Sequence, residues 1–281
     1  MTYQKIYMSN SAGPHVSVPA SLEAPRAKRS LGQNFLQDKN IARKIVSAAR
    51  ITAQSRVLEI GPGPGALTAF LLESGAQYLL LAEKDRFWAQ ERMRQGAGRL
   101  QVVLCDALTL AWERFTEPWV LIGNLPYNVA SPIMWDVFSR MPALERAVFM
   151  VQKEVGLRLK AAPGTSAYGA LSVWVQSFVR PELECLVPPQ VFKPRPKVDS
   201  AVVSFTPLGP EKGRFDPMAL AATLKGCFQM RRKQLGSIVK SRGIAPDALE
   251  KLGFDSKLRP ENLSPGQFHI LSDSGFFIRK H

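Results

Sequence analysis

A polar turn in the middle of the chain carries hydrogen-bond acceptors that could take part in a reaction. The turn, GNLPYN at residues 123–128, directly follows the apolar run WVLI. Two acceptors of the turn, the side-chain oxygen of Asn124 and the main-chain carbonyl of Leu125, could bind the two N–H groups of an adenine amino nitrogen. The lone pair of that nitrogen is delocalised into the ring, and these hydrogen bonds would make it attack a methyl group more readily. Pro126 would fix the direction of that carbonyl, and Tyr127 offers a ring face to an extruded base. The motif predicts adenine methylation, with a turn of no chemical consequence as the alternative.

A glycine-rich turn lies upstream, in VLEIGPGPGALT at residues 57–68. Gly61, Gly63 and Gly65 between a strand and a helix would permit a tight turn and close approach of a ligand to the backbone. Gly61, Gly63 and Ala66 also match the dinucleotide pattern GxGxxA, and Glu83 lies about where a ribose-binding acid belongs. A nicotinamide-dependent dehydrogenase is therefore one alternative.

Two further acids favour S-adenosylmethionine over a nicotinamide. Glu59 lies inside the strand two residues before Gly61, where a dinucleotide fold usually has an apolar residue. Its carboxylate could hold the amides of the turn or meet the cationic sulfonium and amino-acid part of the methyl donor. Asp106, after the run VVLC, could accept a hydrogen bond from an adenine amino group. Acids at the carboxyl ends of successive strands predict a ligand crevice, whereas helix N-capping is the plain structural alternative.

An alternation of short apolar runs and helical segments would position these residues. Asp38 is a plausible N-cap for a helix whose apolar positions are Ile41, Ile45, Val46 and Ala49. The segments that follow are VLEI, ALTAFLLESG, YLLLA, RFWAQERMRQ, QVVL, WVLIG, ASPIMWDVFSRM and AVFMVQ. This order predicts an α/β fold with a parallel sheet and crossover helices.

The pattern changes after the last of these strands. The stretch LECLVPPQVFKPRPKVDSAVVSF, ending at Phe205, contains two strand-like runs around a proline-rich loop, which predicts an antiparallel hairpin at one edge of the sheet. We expect a flexible tail over residues 1–25, a catalytic domain over residues 26–206 and a small helical domain over residues 207–281.

Charge points to a polyanionic partner. The chain has 37 Lys and Arg against 23 Asp and Glu, a net charge of +14. The basic residues are clustered in residues 26–50 and again from Lys225 to Arg242. Because each neutralised phosphate releases counterions, clustered cations favour nucleic acid, with acidic lipid, acidic protein or a solvated surface as alternatives.

Composition indicates a folded protein of the cytoplasm. The hydrophobic content of 46% is ordinary for a globular chain, no apolar run is long enough to cross a membrane, and the N-terminus lacks the apolar core of a signal peptide. The three cysteines, Cys105, Cys185 and Cys227, form no CxxC pair and predict neither a disulfide framework nor a metal site.

Several motifs in one order resemble the ribosomal RNA adenine dimethyltransferases, from about residue 26 to the C-terminus. They are GQNFL, EIGPGPGALT, GNLPYN, VQKEV, KPRPKVDSAVV and MRRK. The best resemblance is to the bacterial small-subunit enzymes. It implies a Rossmann-like class I methyltransferase sheet with a C-terminal helical domain, S-adenosylmethionine as methyl donor, no metal, and a monomer acting on 16S ribosomal RNA within the 30S subunit or its precursor.

The resemblance also implies roles for individual residues. The donor pocket would be lined by Gln33, Asn34, Leu36, Glu59, Gly61, Gly63, Glu83, Asp106 and Asn124. Within it, Gly61 would contact the amino-acid end of the donor, Glu83 the ribose and Asp106 the adenine. Asn124 would be catalytic with Leu125, Pro126 and Tyr127, and Phe192 would form the second wall of a base clamp. RNA would be bound by Arg26, Lys28, Arg29, Arg231, Arg232 and Lys233.

One departure from the family pattern concerns the helical domain. After RRK the family usually continues with Thr, Leu, Arg and Asn, whereas this chain has Gln234, Leu235, Gly236 and Ser237. The predicted function is N6,N6-dimethylation of two adjacent adenosines in the 3′-terminal hairpin of 16S ribosomal RNA during small-subunit biogenesis. Adenine methylation of 23S ribosomal RNA or of DNA, and a non-catalytic role in ribosome assembly, are the alternatives.

Overall fold

The computed structural model describes residues 32–95, 100–209 and 214–278. The strands are β1 (Phe35–Leu36), β2 (Arg56–Ile60), β3 (Tyr78–Glu83), β4 (Leu100–Leu104), β5 (Trp119–Asn124), β6 (Leu144–Gln152), β7 (Val179–Val187), β8 (Phe192–Lys193) and β9 (Ser200–Pro207). The helices are α1 (Lys39–Ala48), α2 (Thr68–Glu73), α3 (Arg86–Gln95), α4 (Ala130–Arg140), α5 (Lys153–Leu159), α6 (Ala170–Phe178), α7 (Pro217–Gln229), α8 (Leu235–Lys240), α9 (Asp247–Glu250) and α10 (Pro265–Asp273). The predicted tail and the basic trio Arg26, Lys28 and Arg29 lie outside the described residues.

The main sheet has seven strands in the order β4-β3-β2-β5-β6-β9-β7. The strands from β4 to β6 are parallel, and β9 and β7 add to them in antiparallel orientation. The predicted α/β fold with an antiparallel hairpin at one edge is therefore confirmed. β1 and β8 form a separate two-stranded sheet in which Leu36 pairs with Phe192, a pairing that the sequence pattern did not predict.

Alternate side chains of the parallel strands build a core on each face of the sheet. On β2, Leu58 and Ile60 belong to one hydrophobic cluster and Val57 to the other. The first cluster extends into α4 and α6, and the second into α1 and α2. Strands buried on both faces read as continuous apolar runs, which explains why segments such as YLLLA lack a polar alternation.

The predicted helix starts and ends agree closely with the structure. Asp38 caps α1, since its Oδ1 accepts hydrogen bonds from the main-chain N–H groups of Asn40 (2.7 Å) and Ile41 (3.0 Å). The predicted segment RFWAQERMRQ coincides with α3. No helix of the described residues is long and apolar enough to cross a membrane.

The regular elements described after β9 are all helical, and they pack on the sheet domain. Leu220 of α7 and Phe268 of α10 share a hydrophobic cluster with Phe205 of β9. The Tyr168 hydroxyl donates to the main-chain oxygen of Leu263 over 2.8 Å. The helical part thus shares a core with the sheet, and a domain boundary at residue 207 stays a prediction.

Candidate active site at the carboxyl ends of the strands

A cavity opens at the carboxyl ends of β2, β3, β4 and β5, where parallel strands of this topology place their ligands. Its volume is about 880 Å³ including the solvent at its mouth. The lining residues are Gly32, Gln33, Asn34, Phe35, Ile60, Gly61, Gly63, Ala82, Glu83, Lys84, Cys105, Asp106, Ala107, Asn124, Leu125, Pro126, Tyr127, Asn128, Val129 and Ile133. Most of the predicted donor-pocket residues and the predicted catalytic turn therefore meet in one cavity.

Glu83 holds the glycine turn and the start of the next loop. One carboxylate oxygen accepts from the N–H of Gly63 (2.9 Å) and the other from the N–H of Asp85 (2.7 Å). Gly63 has a φ of 49° and Gly61 a φ of 68°, which side-chain-bearing residues rarely adopt. Burial raises the pKa of Glu83, although these N–H groups oppose the shift. The carboxylate that holds a turn amide is thus at the end of β3.

Glu59, predicted to hold the turn or meet the donor, instead lies beneath the turn. It is 2% exposed and is not among the described lining residues of the cavity. Its carboxylate accepts from the Thr68 hydroxyl over 2.7 Å. Burial raises the pKa of Glu59 to about 7, against the opposing effects of Thr68 and of the positive charge of Arg92. Glu59 therefore supports the first turn of α2, and its predicted contact with the donor stays a prediction.

Asp106 lies on the cavity wall beside a lysine. Lys84 Nζ pairs with Asp106 Oδ2 over 2.6 Å, and Asp106 Oδ1 accepts from the N–H of Leu108 over 3.0 Å. Partial burial opposes ionisation, but the hydrogen bonds from Lys84 and Leu108 prevail and lower the pKa of Asp106. The neighbouring Cys105 has a pKa raised by burial to about 11, so that its thiol is neutral near pH 7.

The GNLPYN turn is fixed by contacts on both sides. A Cβ on Gly123 would lie 2.8 Å from the main-chain oxygen of Ile60, so β5 and β2 approach more closely here than a side chain would permit. Asn124 Nδ2 donates to the main-chain oxygen of Asn34 over 2.9 Å. The Tyr127 hydroxyl and the Ser200 hydroxyl are 2.7 Å apart and hydrogen-bonded.

Of the remaining predicted site residues, some line the cavity and others are buried in the hydrophobic core. Gln33 and Asn34 line the cavity, whereas Leu36 is buried in the cluster beneath α1. Phe192, the predicted second wall of the clamp, pairs with Leu36 and lies in the same cluster, with 5% exposure. It is not among the described lining residues, so this arrangement does not support the predicted clamp.

The second basic cluster has two kinds of cation. Arg231 Nε pairs with Glu261 over 2.8 Å, and its Nη2 donates to the main-chain oxygen of Ser166 over 2.8 Å. It therefore ties the helical part to the loop before α6. Arg232 and Lys233 are exposed and available to a partner.

The departure from the family pattern at Gly236 has a packing explanation. A Cβ at this position would lie 3.1 Å from the Cβ of Ser256, and the Gly236 N–H donates to the main-chain oxygen of Ser256 over 2.8 Å. An arginine here would require the segment around Ser256 to move. Gly236 thus allows α8 to pack closely against the segment that precedes Leu258.

Sequence reasoning missed several residues of the cavity. They include Lys84, Phe35 and Asn128. The sequence offered a signal for each, since Lys84 is adjacent to the predicted Glu83, and Phe35 and Asn128 lie inside the motifs GQNFL and GNLPYN. Ser200, the partner of Tyr127, lies inside KVDSAVV, a motif that the sequence analysis used only for the family resemblance. No group of three or more potential metal ligands occurs in the described part of the chain.

Comparisons with known proteins identify the family of the chain. The family model described as ribosomal RNA adenine dimethylase matches residues 24–274. The chain is 56% identical over 259 residues to the ribosomal RNA small subunit methyltransferase A of Oleidesulfovibrio alaskensis, which covers 89% of this chain and 91% of the relative.

Two solved structures have a similar fold. The crystal structure of a dimethyladenosine transferase from Plasmodium falciparum superposes with a TM-score of 0.72 and 27% identity, covering 86% of this chain and 97% of that chain. The crystal structure of the 23S rRNA methyltransferase ErmE gives a TM-score of 0.65 and 25% identity, covering 88% of this chain and 100% of that chain. The chain therefore belongs to the ribosomal RNA adenine dimethylase family.

Proposed function

We propose that this protein transfers methyl groups from S-adenosylmethionine to N6 of two adjacent adenosines in the 3′-terminal hairpin of 16S ribosomal RNA. The product would be N6,N6-dimethyladenosine, formed while the small subunit is assembled. The proposed site of action is the cytoplasm, and the proposed form is a monomer bound to RNA of the 30S subunit or its precursor. Membership of the dimethylase family and the close small-subunit relative support the choice of substrate.

The orientation of the Asn124 amide is the observation that carries the proposal. A main-chain carbonyl can only accept, so the group that faces the oxygen of Asn34 must be the NH₂ of Asn124. Oδ1 of Asn124 is then left as an acceptor, and Leu125, whose carbonyl is the second proposed acceptor, lines the same cavity as Asn124. These are the two acceptors that an adenine amino group would need.

The cavity fits S-adenosylmethionine in its chemistry. Gly61 and Gly63 can present backbone to a ligand, Glu83 and Asp106 offer carboxylates for ribose and adenine, and Gln33 and Asn34 line the same cavity. When bound, the donor supplies an activated methyl group. Lys84 pairs with Asp106 in this structure. We infer that, when an adenine amino group is present, Lys84 either moves away from Asp106 or shares its carboxylate with that amino group.

The residues of the turn would position the base and need no general base among them. Tyr127 can present its ring to an extruded adenine because its hydroxyl is held by Ser200. An alkylated amino nitrogen is cationic and loses its proton to solvent. Holding that nitrogen in line with the methyl group would then be the main contribution of Asn124 and Leu125.

Mass spectrometry of nucleosides tests the proposal and its alternatives. Small-subunit RNA from cells without this gene should lack N6,N6-dimethyladenosine, and adding the purified protein with S-adenosylmethionine to those subunits should restore it. Methylated 23S RNA would instead favour the activity named for ErmE. Restored subunit assembly without methylation would favour the assembly-factor alternative.

A further inference from the structure

A second concave surface, which we name the basic recess, lies on the side of the sheet covered by α1. Its volume is about 940 Å³ including open solvent. The residues lining it are Arg43, Lys44, Ser47, Ala48, Arg50, Arg146, Glu184 and Cys185. Four cations therefore face one acid within the recess.

The recess lies at the end of the sheet opposite the donor pocket. Arg146 of β6 pairs with Val120 of β5, four residues before Asn124 on the same strand. At about 3.3 Å per residue the two ends of this segment are roughly 13 Å apart. A ligand of the donor pocket would not extend through the sheet to this surface, so the recess is a separate site.

Arg146 is the fixed cation of the recess. It is 7% exposed, and its Nε donates to the main-chain oxygen of Ala48, at the end of α1, over 2.7 Å. Its Nη1 donates to Thr206 Oγ1 over 3.0 Å, and its Nη2 lies 3.8 Å from Glu184. Since all three nitrogens have partners, this guanidinium is held in place and supplies charge without moving.

Lys44 and Arg50 are the available cations. Both are exposed, and neither has an ion pair with an acid within the described ranges. Arg50 adopts a φ of 52°, which directs the chain away from α1 immediately after its last turn. Arg50 and Arg146 line the same recess, and burial first, then the like charge of Arg50, lower the pKa of Arg146. Clustered like charges on a concave surface favour an anion.

We propose that the basic recess binds the phosphodiester backbone of ribosomal RNA as an anchor remote from the donor pocket. The identity of the RNA rests on the proposed function. A recess this wide exceeds a single small anion, and a polyanion can meet several of its cations at once. The net charge of +14 and the position of Arg43, Lys44 and Arg50 in the first basic cluster of the sequence agree with this partner.

The test is the salt dependence of binding to small subunits that carry unmethylated 16S RNA. In the variant Lys44→Gln/Arg50→Gln, the log–log slope of affinity against salt should fall by roughly 1.4 to 1.8, since each phosphate contact contributes about 0.7 to 0.9. At 0.1 M salt the dissociation constant should rise at least about tenfold for the same reason. The affinity for S-adenosylmethionine and the single-turnover rate at saturating subunits should stay unchanged.

A matched control removes two exposed cations elsewhere. Arg94→Gln/Arg114→Gln changes the net charge equally, on α3 and in the segment between β4 and β5. If the log–log slope falls no more in the recess variant than in this control, the proposal that the basic recess anchors RNA is refuted. The proposed function still stands in that case if wild-type protein methylates the subunits. Failure of wild-type protein to methylate them would count against the proposed function itself.

Discussion

The side-chain amide of Asn124 donates a 2.9 Å hydrogen bond to the main-chain oxygen of Asn34, ninety residues earlier in the chain. The bond joins the end of β5 to the GQNFL segment, and both residues line the cavity. It also orients Asn124 so that its oxygen, and not its nitrogen, is available to a substrate amino group.

Replacing Asn124 should therefore slow methyl transfer, either because the acceptor for the amino group is lost or because the hydrogen bond to Asn34 is lost. Asn124→Ala removes an acceptor from the transition state and should lower the single-turnover rate by about a hundredfold or more. Asn124→Asp keeps an oxygen but cannot donate to Asn34, so it should also be slow. Near-wild-type rates for Asn124→Ala, measured on a variant that still binds S-adenosylmethionine, would rule out the catalytic role.

Glu83→Gln should weaken the binding of S-adenosylmethionine. An amide has one oxygen where the carboxylate has two, so the N–H of either Gly63 or Asp85 loses its acceptor. A hydrogen bond from a ribose hydroxyl to the charged carboxylate would contribute about 1.5 to 3 kcal/mol, so its loss together with the disturbed turn should lower the affinity roughly tenfold to a hundredfold. Calorimetric titration measures this, with the exposed Glu73→Gln on α2 as the control. Tighter binding of NAD than of S-adenosylmethionine to wild-type protein would instead favour the dehydrogenase alternative.

Stability should fall as pH rises through the titration of Glu59. Its pKa is raised from 4.5 to about 7, so between these values the folded chain binds more protons than the unfolded chain. The free energy of unfolding then decreases with pH across this window, by up to about 3 kcal/mol. In Glu59→Gln this decrease should be largely absent.

Denaturant unfolding at several pH values between 4.5 and 7.5 provides the measurement. Glu73→Gln is again the matched control, since it removes one carboxylate from an exposed position on α2. A Glu59→Gln variant with the same slope as wild type would show that Glu59 titrates normally.

Phe192 should act through packing. Phe192→Ala removes a ring from the cluster that contains Leu36 and should lower the free energy of unfolding by about 3 to 5 kcal/mol. Phe192→Leu keeps an apolar side chain and should retain most of the methylation rate. If Phe192→Leu is stable but loses activity on RNA while keeping donor affinity, the clamp with Tyr127 would be supported after all.

The cations of the second basic cluster should respond differently to neutralisation. Arg232→Gln/Lys233→Gln should lower the salt slope of RNA binding by about 0.7 to 0.9 per lost phosphate contact. Arg231→Gln should mainly lower the melting temperature, because it loses Glu261 and the loop carbonyl of Ser166. Equal effects on RNA binding from all three positions would show that Arg231 also contacts phosphate. The same slope measurement applies to Arg26, Lys28 and Arg29.

The sheet was predictable because its parallel strands contain apolar runs, and several of these runs lead to a glycine or an acid. The run YLLLA, for example, leads directly to Glu83 at the end of β3. The pairing of β1 with β8 was not predictable, since strands of two residues have no periodicity and their partners are far apart in sequence. Its consequence, the burial of Phe192 against Leu36, was missed for the same reason.

The roles of the two glutamates show a second limit. Glu59 and Glu83 both lie near the glycine turn, and residue type alone does not say which one reaches the amide of Gly63. The answer depends on which face of the sheet each side chain occupies, and Glu59 lies beneath the turn with Thr68. Long-range pairs such as Arg231 with Glu261 likewise depend on tertiary packing that leaves no local signal.

In the proposed reaction, the contact between Gly123 and the main chain of Ile60 would determine how far apart the two reactants are held. The proposed function assigns the methyl donor to the end of β2 and the target base to the end of β5, and these two strand ends can touch because position 123 has no Cβ. Reaction rates can change about a hundredfold for a displacement of about 1 Å. Under the proposed function, even an alanine at position 123 would push the ends of β2 and β5 apart and lengthen the distance between methyl donor and base, while leaving the other residues of the cavity unchanged.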